Sequence, residues 1–265
     1  MKHRWLRGLY HWAYQFGWDG LRWLQAWRGL PAFLRNRARF KRQWKRTPSP
    51  FAWGKLRPCP ADRFADAGQA RGHYFHQDLW AAQRLFANQP DQHVDAGSRV
   101  DGFVAHVASF RELEVWDLRP QPGPLPRNLR FRRQDLTQRP WPLNGYCGSL
   151  SCLSVLEHLG LGRYGDAVDP EAYLAGWENL HAALKPGGRL YFSVPIGPGR
   201  IEFDAHRVFD LSYLLPLIEE KYLVEALAYV NDEGDLVEPA GRDQGAERAS
   251  FGCWFGCGLF VLKKK

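Results

Sequence analysis

The feature that most constrains this sequence is a regular alternation of helical patterns and short apolar segments from about residue 74 onward. In a predicted helix over residues 74–88, Phe75, Leu79, Ala82 and Phe86 fall on one side. Predicted strands then cover residues 93–96, 113–117, 128–134, 149–154 and 189–195, with helical patterns over 102–110 and 170–184. Such alternation is typical of a parallel sheet with helices on both faces. The sequence therefore predicts an α/β fold.

The last part of the chain changes this rhythm. The helical pattern at 170–184 is closed by Lys-Pro-Gly-Gly at 185–188, which predicts that the helix ends there and a strand follows. The order then becomes helix 211–221, strand 224–230 and strand 258–263. Two closing strands without a helix between them predict an antiparallel hairpin at the end of the sheet.

The first 46 residues differ in composition from the rest. They hold 12 Lys and Arg and one acid, a net charge of +11, whereas the remainder of the chain has a net charge of −3. Apolar residues recur there mostly three or four positions apart, as on one helical face: Trp5, Leu9, Trp12, Phe16, Trp23, Trp27, Leu30 and Leu34. We therefore expect a basic, Trp-rich helical arm at 1–46, a Pro-rich linker at 47–60 and a catalytic-sized domain at 61–265.

Three kinds of partner suit this arm. Tryptophans flanked by arginines fit the headgroup boundary of an anionic membrane. The same aromatic residues could instead pack on the main domain or on a second subunit, and a basic stripe also suits nucleic acid. No window approaches the ~20 apolar residues that a spanning helix needs. We favour peripheral attachment to the membrane surface.

The five cysteines bear on the compartment. They are odd in number and widely scattered, unlike the disulfide framework of a small secreted protein, so we predict a cytoplasmic protein. Cys147 with Cys152, and Cys253 with Cys257, lack the short spacing that is usual in structural zinc sites. We predict no metal site.

Acidic residues stand at the ends of three predicted strands, where open α/β sheets bind their ligands. They are Asp95, followed by Gly97 and Ser98, then Asp117, then Asp135 with Leu136. A glycine permits close backbone approach, and a carboxylate can accept from both hydroxyls of a ribose. Because G-x-G-x-x-G is absent, a dinucleotide is disfavoured. The pattern predicts a smaller adenosine ligand that carries a carboxylate.

Several of these segments resemble the successive motifs of class I S-adenosylmethionine-dependent methyltransferases. In chain order they are HVDAGS, VWDLRP, QDLT, SVLEHLG and LKPGGRLYFSVP, and the resemblance covers about residues 74–263. More narrowly, GSRVDGFVAH, VLEHLGLGRYGD and FDAHRVF resemble the domain-of-unknown-function 268 (DUF268) family. The resemblance implies a Rossmann-like, seven-stranded sheet with an antiparallel last strand, and S-adenosylmethionine as cofactor. Bacterial relatives suggest a role in surface-polysaccharide assembly.

The resemblance also implies roles for individual residues. Cofactor-binding residues would be Asp95, Gly97 and Ser98 at the methionine end, Asp117 and Leu118 at the ribose, Asp135 and Leu136 at the adenine, and Cys152 to Ser154 behind the sulfonium. Two positions depart from the common pattern, since Arg99 stands where a glycine is usual and Cys147-Gly148 where many relatives have Phe-Asp. The arginine raises the question of whether the cofactor still has room.

Methyl transfer to a hydroxyl needs in-line positioning and a base that removes the proton. Candidate catalytic residues are Glu157, His158 and His206, and His158 is the preferred base because a histidine titrates near neutrality. Candidate substrate-binding residues are Arg163 and Tyr164, with Asp166, in the loop 160–166, and Arg207 after the fifth strand. Each of these residues could instead have a structural role, as a helix cap, in a local ion pair or as a packed side chain. A divalent ion on Glu157 and His158 would need further ligands, which the sequence does not show.

We therefore expect an S-adenosylmethionine-dependent methyltransferase that O-methylates a glycan or lipid-linked saccharide at the membrane surface. An alternative is a non-catalytic cofactor-binding scaffold in polysaccharide assembly. An RNA methyltransferase is disfavoured because the chain beyond the arm has a net charge of −3, whereas nucleic-acid-binding surfaces usually extend positive charge to the active face.

Overall fold

The computed structural model describes residues 10, 12–239 and 241–265. The chain divides into two compact units, residues 1–69 and 70–265. Trp5 and Leu9 of the predicted apolar face lie outside the described residues. The boundary falls after residue 69 rather than after residue 60, because residues 60–64 form a 3-10 turn that packs on the helix of the first unit.

The first unit is built on one long helix, α1 (Gly20–Trp44). Asp19 caps it by accepting a backbone N–H bond in the first turn. The chain returns over Gly29, where a Cβ would lie 2.0 Å from the carbonyl oxygen of Pro60. The predicted linker thus folds back along α1, and Trp53 packs against two of its aromatic rings. No helix in the described ranges is long and apolar enough to cross a membrane.

The second unit contains an eight-stranded sheet in the order β3-β2-β1-β4-β5-β10-β8-β9. Its strands are β1 (Val94–Ala96), β2 (Leu113–Asp117), β3 (Leu129–Arg133), β4 (Cys147–Leu153), β5 (Leu184–Ile196), β8 (Tyr222–Val230), β9 (Leu236–Val237) and β10 (Gly256–Lys264). A separate ribbon pairs β6 (Arg200–Glu202) with β7 (His206–Val208). Strands β1 to β5 run parallel, and β10 is antiparallel to β5 and β8. The predicted α/β fold with a reversed last strand is confirmed.

Helices cover both faces of this sheet. On one face lie α2 (His73–Asn88) and α3 (Phe103–Ala108), and on the other α4 (Ala172–Ala183) and α5 (Leu211–Lys221). Because both faces are buried, β5 is a nearly continuous apolar run, with Tyr191 in one core and Phe192 in the other.

Two details near the end of the sheet differ from the expectation. The sheet has eight strands rather than seven, because the two-residue strand β9 pairs with the outer side of β8. Between β8 and β10 the chain also forms a short helix, α6 (Gln244–Arg248), where the sequence predicted only a loop. Asp243 supports it by accepting from two backbone N–H groups.

The apolar face predicted for α2 is wrong for three of its four residues. Phe75, Leu79 and Phe86 are exposed, and only Ala82 is buried. The buried stripe instead includes Trp80, Leu85 and the polar Gln77. Hydrophobicity misplaced this face because Gln77 is held inside by hydrogen bonds that no local pattern reveals.

Candidate active site

A cavity of about 640 Å³ opens at the carboxyl ends of β1, β2, β3 and β4. The strand order reverses between β1 and β4, which is the usual ligand position in open α/β sheets. Its lining includes six predicted cofactor residues: Gly97, Ser98, Asp117, Leu118, Asp135 and Leu136. It also includes four predicted catalytic or acceptor residues: His158, Arg163, Tyr164 and Asp166. Residues up to 92 positions apart, from Tyr74 to Asp166, thus meet in one site.

The loop after β1 is held by Asp95, which lies under the cavity rather than in it. Its buried carboxylate accepts from the N–H and hydroxyl of Ser98 at 3.0 and 2.9 Å and from Ser151 Oγ at 2.5 Å. Burial raises the pKa of Asp95 to about 6. Gly97 has φ +86°, and a Cβ there would lie 2.7 Å from Val155 Cγ1. Only glycine therefore lets this loop approach the end of β4 so closely.

Arg99 does not fill the space that a glycine would leave. Its side chain is 75% exposed and pairs with Asp101 at 2.6 Å. Both residues lie at the rim of the cavity. The departure from the usual glycine therefore leaves the interior open.

Asp117 at the end of β2 is fixed by Arg119, which sequence reasoning missed. The backbone N–H and Nε of Arg119 donate to Oδ1 at 2.8 and 2.9 Å, and Nη2 donates to Oδ2 at 2.5 Å. The same guanidinium lies 4.7 Å from the ring centre of Tyr164. The carboxylate thus has a set orientation, and its remaining lone pairs are available to a ligand. An arginine two positions after the strand-end acid was the only local signal.

Beyond β3, Asp135 and Leu136 form one wall of the cavity. The Asp135 carboxylate accepts from the N–H and hydroxyl of Thr137 at 2.8 and 2.7 Å, which shapes a tight turn. The carbonyl of Leu136 accepts from Asn179 Nδ2 of α4 at 2.7 Å. Asn179 is buried, so this wall is tied to a helix on one face of the sheet. Sequence reasoning missed Asn179 as well.

Cys152 does not lie in the cavity. Its side chain is fully buried in the core that contains α4 and α5, where burial raises the pKa of the thiol. Successive strand residues point to opposite faces. Leu153 and Ser154, which were predicted with Cys152, do line the cavity, as does Val155.

Gln77 of α2 holds the end of β4. Its Oε1 accepts from Ser154 Oγ at 2.6 Å and Ser193 Oγ at 2.7 Å. Ser154 has φ +53°, a conformation that is uncommon without glycine, and these contacts help to maintain it. Gln77 also lines the cavity. The one local indication of a role for Gln77 was its spacing. It stands three positions before Trp80 and four before Ala81, which places it on the same stripe of the helix as these two residues.

His158 faces the cavity, and its hydrogen bond fixes the tautomer. Nδ1 donates to the carbonyl of Ala205 at 2.6 Å, which leaves the lone pair on Nε2. Nε2 lies 3.8 Å from Glu157 Oε1, too far for a hydrogen bond. Burial lowers the pKa of His158 to about 4 and raises that of Glu157 to about 8. At neutral pH the site therefore has a neutral imidazole beside a buried carboxylic acid that does not line the cavity.

The loop 160–166 is shaped by Asp166, not by an Arg/Asp pair. Asp166 Oδ2 accepts from the N–H of Gly160 at 2.7 Å, and Oδ1 accepts from the N–H of Tyr164 at 3.1 Å. Arg163 instead donates from Nη1 to the carbonyl of Ala205 at 3.0 Å. Arg163 and Tyr164 are thereby presented at the cavity.

His206 and Arg207 lie outside the cavity lining, contrary to the roles predicted for them. The His206 ring stacks on Phe255 at 5.0 Å and lies 6.5 Å from the His158 ring, and burial lowers its pKa. Arg207 is buried and donates to three backbone carbonyls, including that of Leu159 at 2.6 Å. Arg207 thus supports the loop from behind rather than facing a substrate.

Comparison with known sequences finds a family model that matches the second half of this site. Residues 144–228 match the model described as Caenorhabditis protein of unknown function, DUF268. This segment contains His158 and the loop 160–166. No curated protein matches the chain.

Two solved structures illustrate the similarity of fold. The Burkholderia thailandensis 1,6-didemethyltoxoflavin-N1-methyltransferase, with bound 1,6-didemethyltoxoflavin and S-adenosylhomocysteine, is 18% identical with a TM-score of 0.50, over 71% of this chain and 78% of that one. The N-methyltransferase NodS from Bradyrhizobium japonicum, in complex with S-adenosylhomocysteine, is 13% identical with a TM-score of 0.48, over 73% and 88% of the two chains. The resemblance read from the motifs is confirmed to this extent: residues 144–228 match the DUF268 model, and the domain that contains them has the fold of class I S-adenosylmethionine-dependent methyltransferases.

Proposed function

We propose that this protein transfers a methyl group from S-adenosylmethionine to a hydroxyl of a glycan or lipid-linked saccharide. The observation that carries the proposal is the cavity that joins Gly97, Asp117 and Leu136 to the neutral imidazole of His158. The first three residues suit the methionine end, the ribose and the adenine, and the fourth suits a base. The Burkholderia enzyme of the same fold holds S-adenosylhomocysteine, which supports the same class of cofactor here.

The residues around the cavity fit such a cofactor. A volume of about 640 Å³ lies in the range of small-ligand sites. Asp117 offers an oriented carboxylate for two hydroxyls, Leu136 offers an apolar wall, and Gly97 lines the cavity without a side chain that would obstruct it. When bound, S-adenosylmethionine supplies an electrophilic methyl group. The chain's own residues orient the reactants and accept the hydroxyl proton.

His158 is placed to act as the base. Its Nε2 carries the lone pair, and the Nδ1–H bond to Ala205 keeps the ring in position while a proton is taken up. Tyr164 is 39% exposed at the cavity and offers its ring to the face of a sugar. An oriented base next to an aromatic platform supports a hydroxylated acceptor.

Asp117→Ala is expected to weaken S-adenosylmethionine binding by about tenfold or more, since a charge-assisted hydrogen bond contributes about 1.5–3 kcal/mol. Isothermal titration calorimetry on the full chain measures the change. Asp101→Ala is the matched control, because Asp101 also pairs with an arginine two positions away but lies at the rim. Absence of binding by the wild type, or equal affinity of the wild type and Asp117→Ala, would count against the proposal.

We further propose that the first unit holds the enzyme on an anionic membrane surface. Trp23, Trp27 and Leu34 of α1 are more than half exposed and share one helical face. This face lies opposite Gly29, which is covered by the returning chain. Half-buried tryptophans beside cations suit the headgroup region, and residues 1–46 carry a net charge of +11.

Replacing Trp23 and Trp27 together with alanine is expected to lower the vesicle-bound fraction of the full chain by about tenfold, because indole burial in the interface is lost. Flotation with vesicles containing phosphatidylserine measures this fraction. Phe51→Ala is the control, since Phe51 is 77% exposed but lies outside α1. Equal flotation of all three proteins, or binding that is indifferent to anionic lipid, contradicts the membrane proposal.

A further inference from the structure

The carboxylates around the cavity already have partners. Asp101 pairs with Arg99 and Asp117 with Arg119. Asp135 and Asp166 are engaged by N–H groups of their own turns, and Asp78 accepts from Gln77 Nε2 at 3.0 Å. None of these five acids forms an ion pair with Arg163.

Arg163 is the exception among the cavity's arginines. In the part of the chain that the structure describes, no carboxylate oxygen lies within the 4 Å of an ion pair from its guanidinium. One of its five N–H donors bonds the carbonyl of Ala205 at 3.0 Å, and the guanidinium lies 5.2 Å from the ring centre of Tyr164. Most of its donors are therefore free to bind an anion.

The position of this cation relative to His158 is fixed by a shared acceptor. The carbonyl oxygen of Ala205 accepts from His158 Nδ1 at 2.6 Å and from Arg163 Nη1 at 3.0 Å. The imidazole and the guanidinium therefore lie side by side at the cavity. A ligand whose hydroxyl meets His158 has Arg163 within reach of a neighbouring substituent.

We infer that the acceptor carries a carboxylate or phosphate group close to the hydroxyl that is methylated, and that Arg163 binds this group. The inference rests on the proposed function and names its substrate class as an acidic saccharide. A guanidinium matches the two oxygens of a carboxylate or phosphate with parallel N–H bonds, which a neutral sugar cannot reproduce. His158 and Glu157 are both neutral around pH 7, so neither places a negative charge beside the anion, and the Asp166 carboxylate is engaged by N–H groups of its own loop.

The test uses the full chain saturated with S-adenosylhomocysteine and titrated with glucuronate, glucose 6-phosphate or glucose. At least one anionic probe is expected to bind about tenfold more tightly than glucose, and Arg163→Gln should remove this preference. The probe that binds better identifies the carboxylate or the phosphate as the recognised group. Arg99→Gln is the matched control, because Arg99 lines the same cavity but is paired with Asp101.

The outcomes separate this inference from the function on which it rests. If S-adenosylhomocysteine does not bind, the proposed function fails. If it binds and the wild type shows no preference for an anion, or if Arg163→Gln and Arg99→Gln change the preference equally, the acidic acceptor is overturned while the cofactor assignment stands. Arg163→Lys, which keeps the charge without the planar fork, should recover part of the preference.

Discussion

Replacing His158 with alanine is expected to lower the rate of methyl transfer by about 10²–10⁴-fold while changing cofactor affinity by less than about threefold. The imidazole is the cavity's neutral base, with Nδ1–H held by Ala205 and the lone pair on Nε2. Single-turnover transfer of a labelled methyl group to an acceptor fraction measures the rate, and calorimetry measures the affinity.

The control His206→Ala distinguishes the loss of the His158 base from a general disturbance of this part of the structure. The His206 ring lies 6.5 Å from that of His158 and outside the cavity lining, so its loss should reduce transfer by about tenfold at most. If both substitutions leave every rate unchanged while the cofactor still binds, the non-catalytic scaffold replaces the enzyme as the better description.

The burial of His158 determines how the rate of methyl transfer changes with pH. Burial lowers the pKa of His158 from 6.5 to about 4, so the unprotonated base persists as the pH falls through 6.5. The acid limb of the pH profile of methyl transfer is therefore expected near pH 4. A fall in rate centred near pH 6.5 would contradict the buried, neutral state of His158.

Gly160→Ala is expected to lower the free energy of unfolding by about 2–5 kcal/mol, the combined cost of backbone strain and overpacking. Gly160 has φ +79°, and a Cβ there would lie 1.9 Å from the carbonyl oxygen of Asp169 and 2.7 Å from the Cβ of Ala172. The obstacle is largely backbone, so a rotamer change cannot relieve it. Urea unfolding of the full chain measures the change.

Gly165→Ala provides the control within the same loop. Gly165 has φ +82°, but a Cβ there would have no neighbour within 4 Å. It should therefore show only the cost of the left-handed conformation, about 1–2 kcal/mol. Equal losses at the two positions would mean that the approach of Gly160 to Asp169 is not close in solution.

The positions of many site residues could be predicted because the sequence patterns that indicate them involve only nearby residues. Asp117 ends a short strand and Gly97 and Asp135 come shortly after one, and parallel strands bring their carboxyl ends to one edge of the sheet. Periodicity and turn residues were thus enough to predict that these positions converge. His158 also has the predicted place at the cavity.

The errors have a different origin. Cys152 to Ser154 were expected at the sulfonium, but the alternation of β4 turns the side chain of Cys152 into the core and leaves only Leu153 and Ser154 at the cavity. Arg207 was expected at the acceptor, but its donors are used by backbone carbonyls. In both cases the direction of the side chain, rather than the position in the chain, decided the outcome.

The sequence by itself determined the α/β alternation, the reversed closing strand and the order of the cofactor motifs, because each depends on residues close together in the chain. The tertiary structure decided that Gln77 belongs to the buried face of α2, 77 residues from its partner Ser154. It also decided that His158 and Arg163 share the carbonyl of Ala205, 47 and 42 residues away. Long-range hydrogen bonds of this kind have no local pattern, so only the folded chain reveals how the base and the free cation meet.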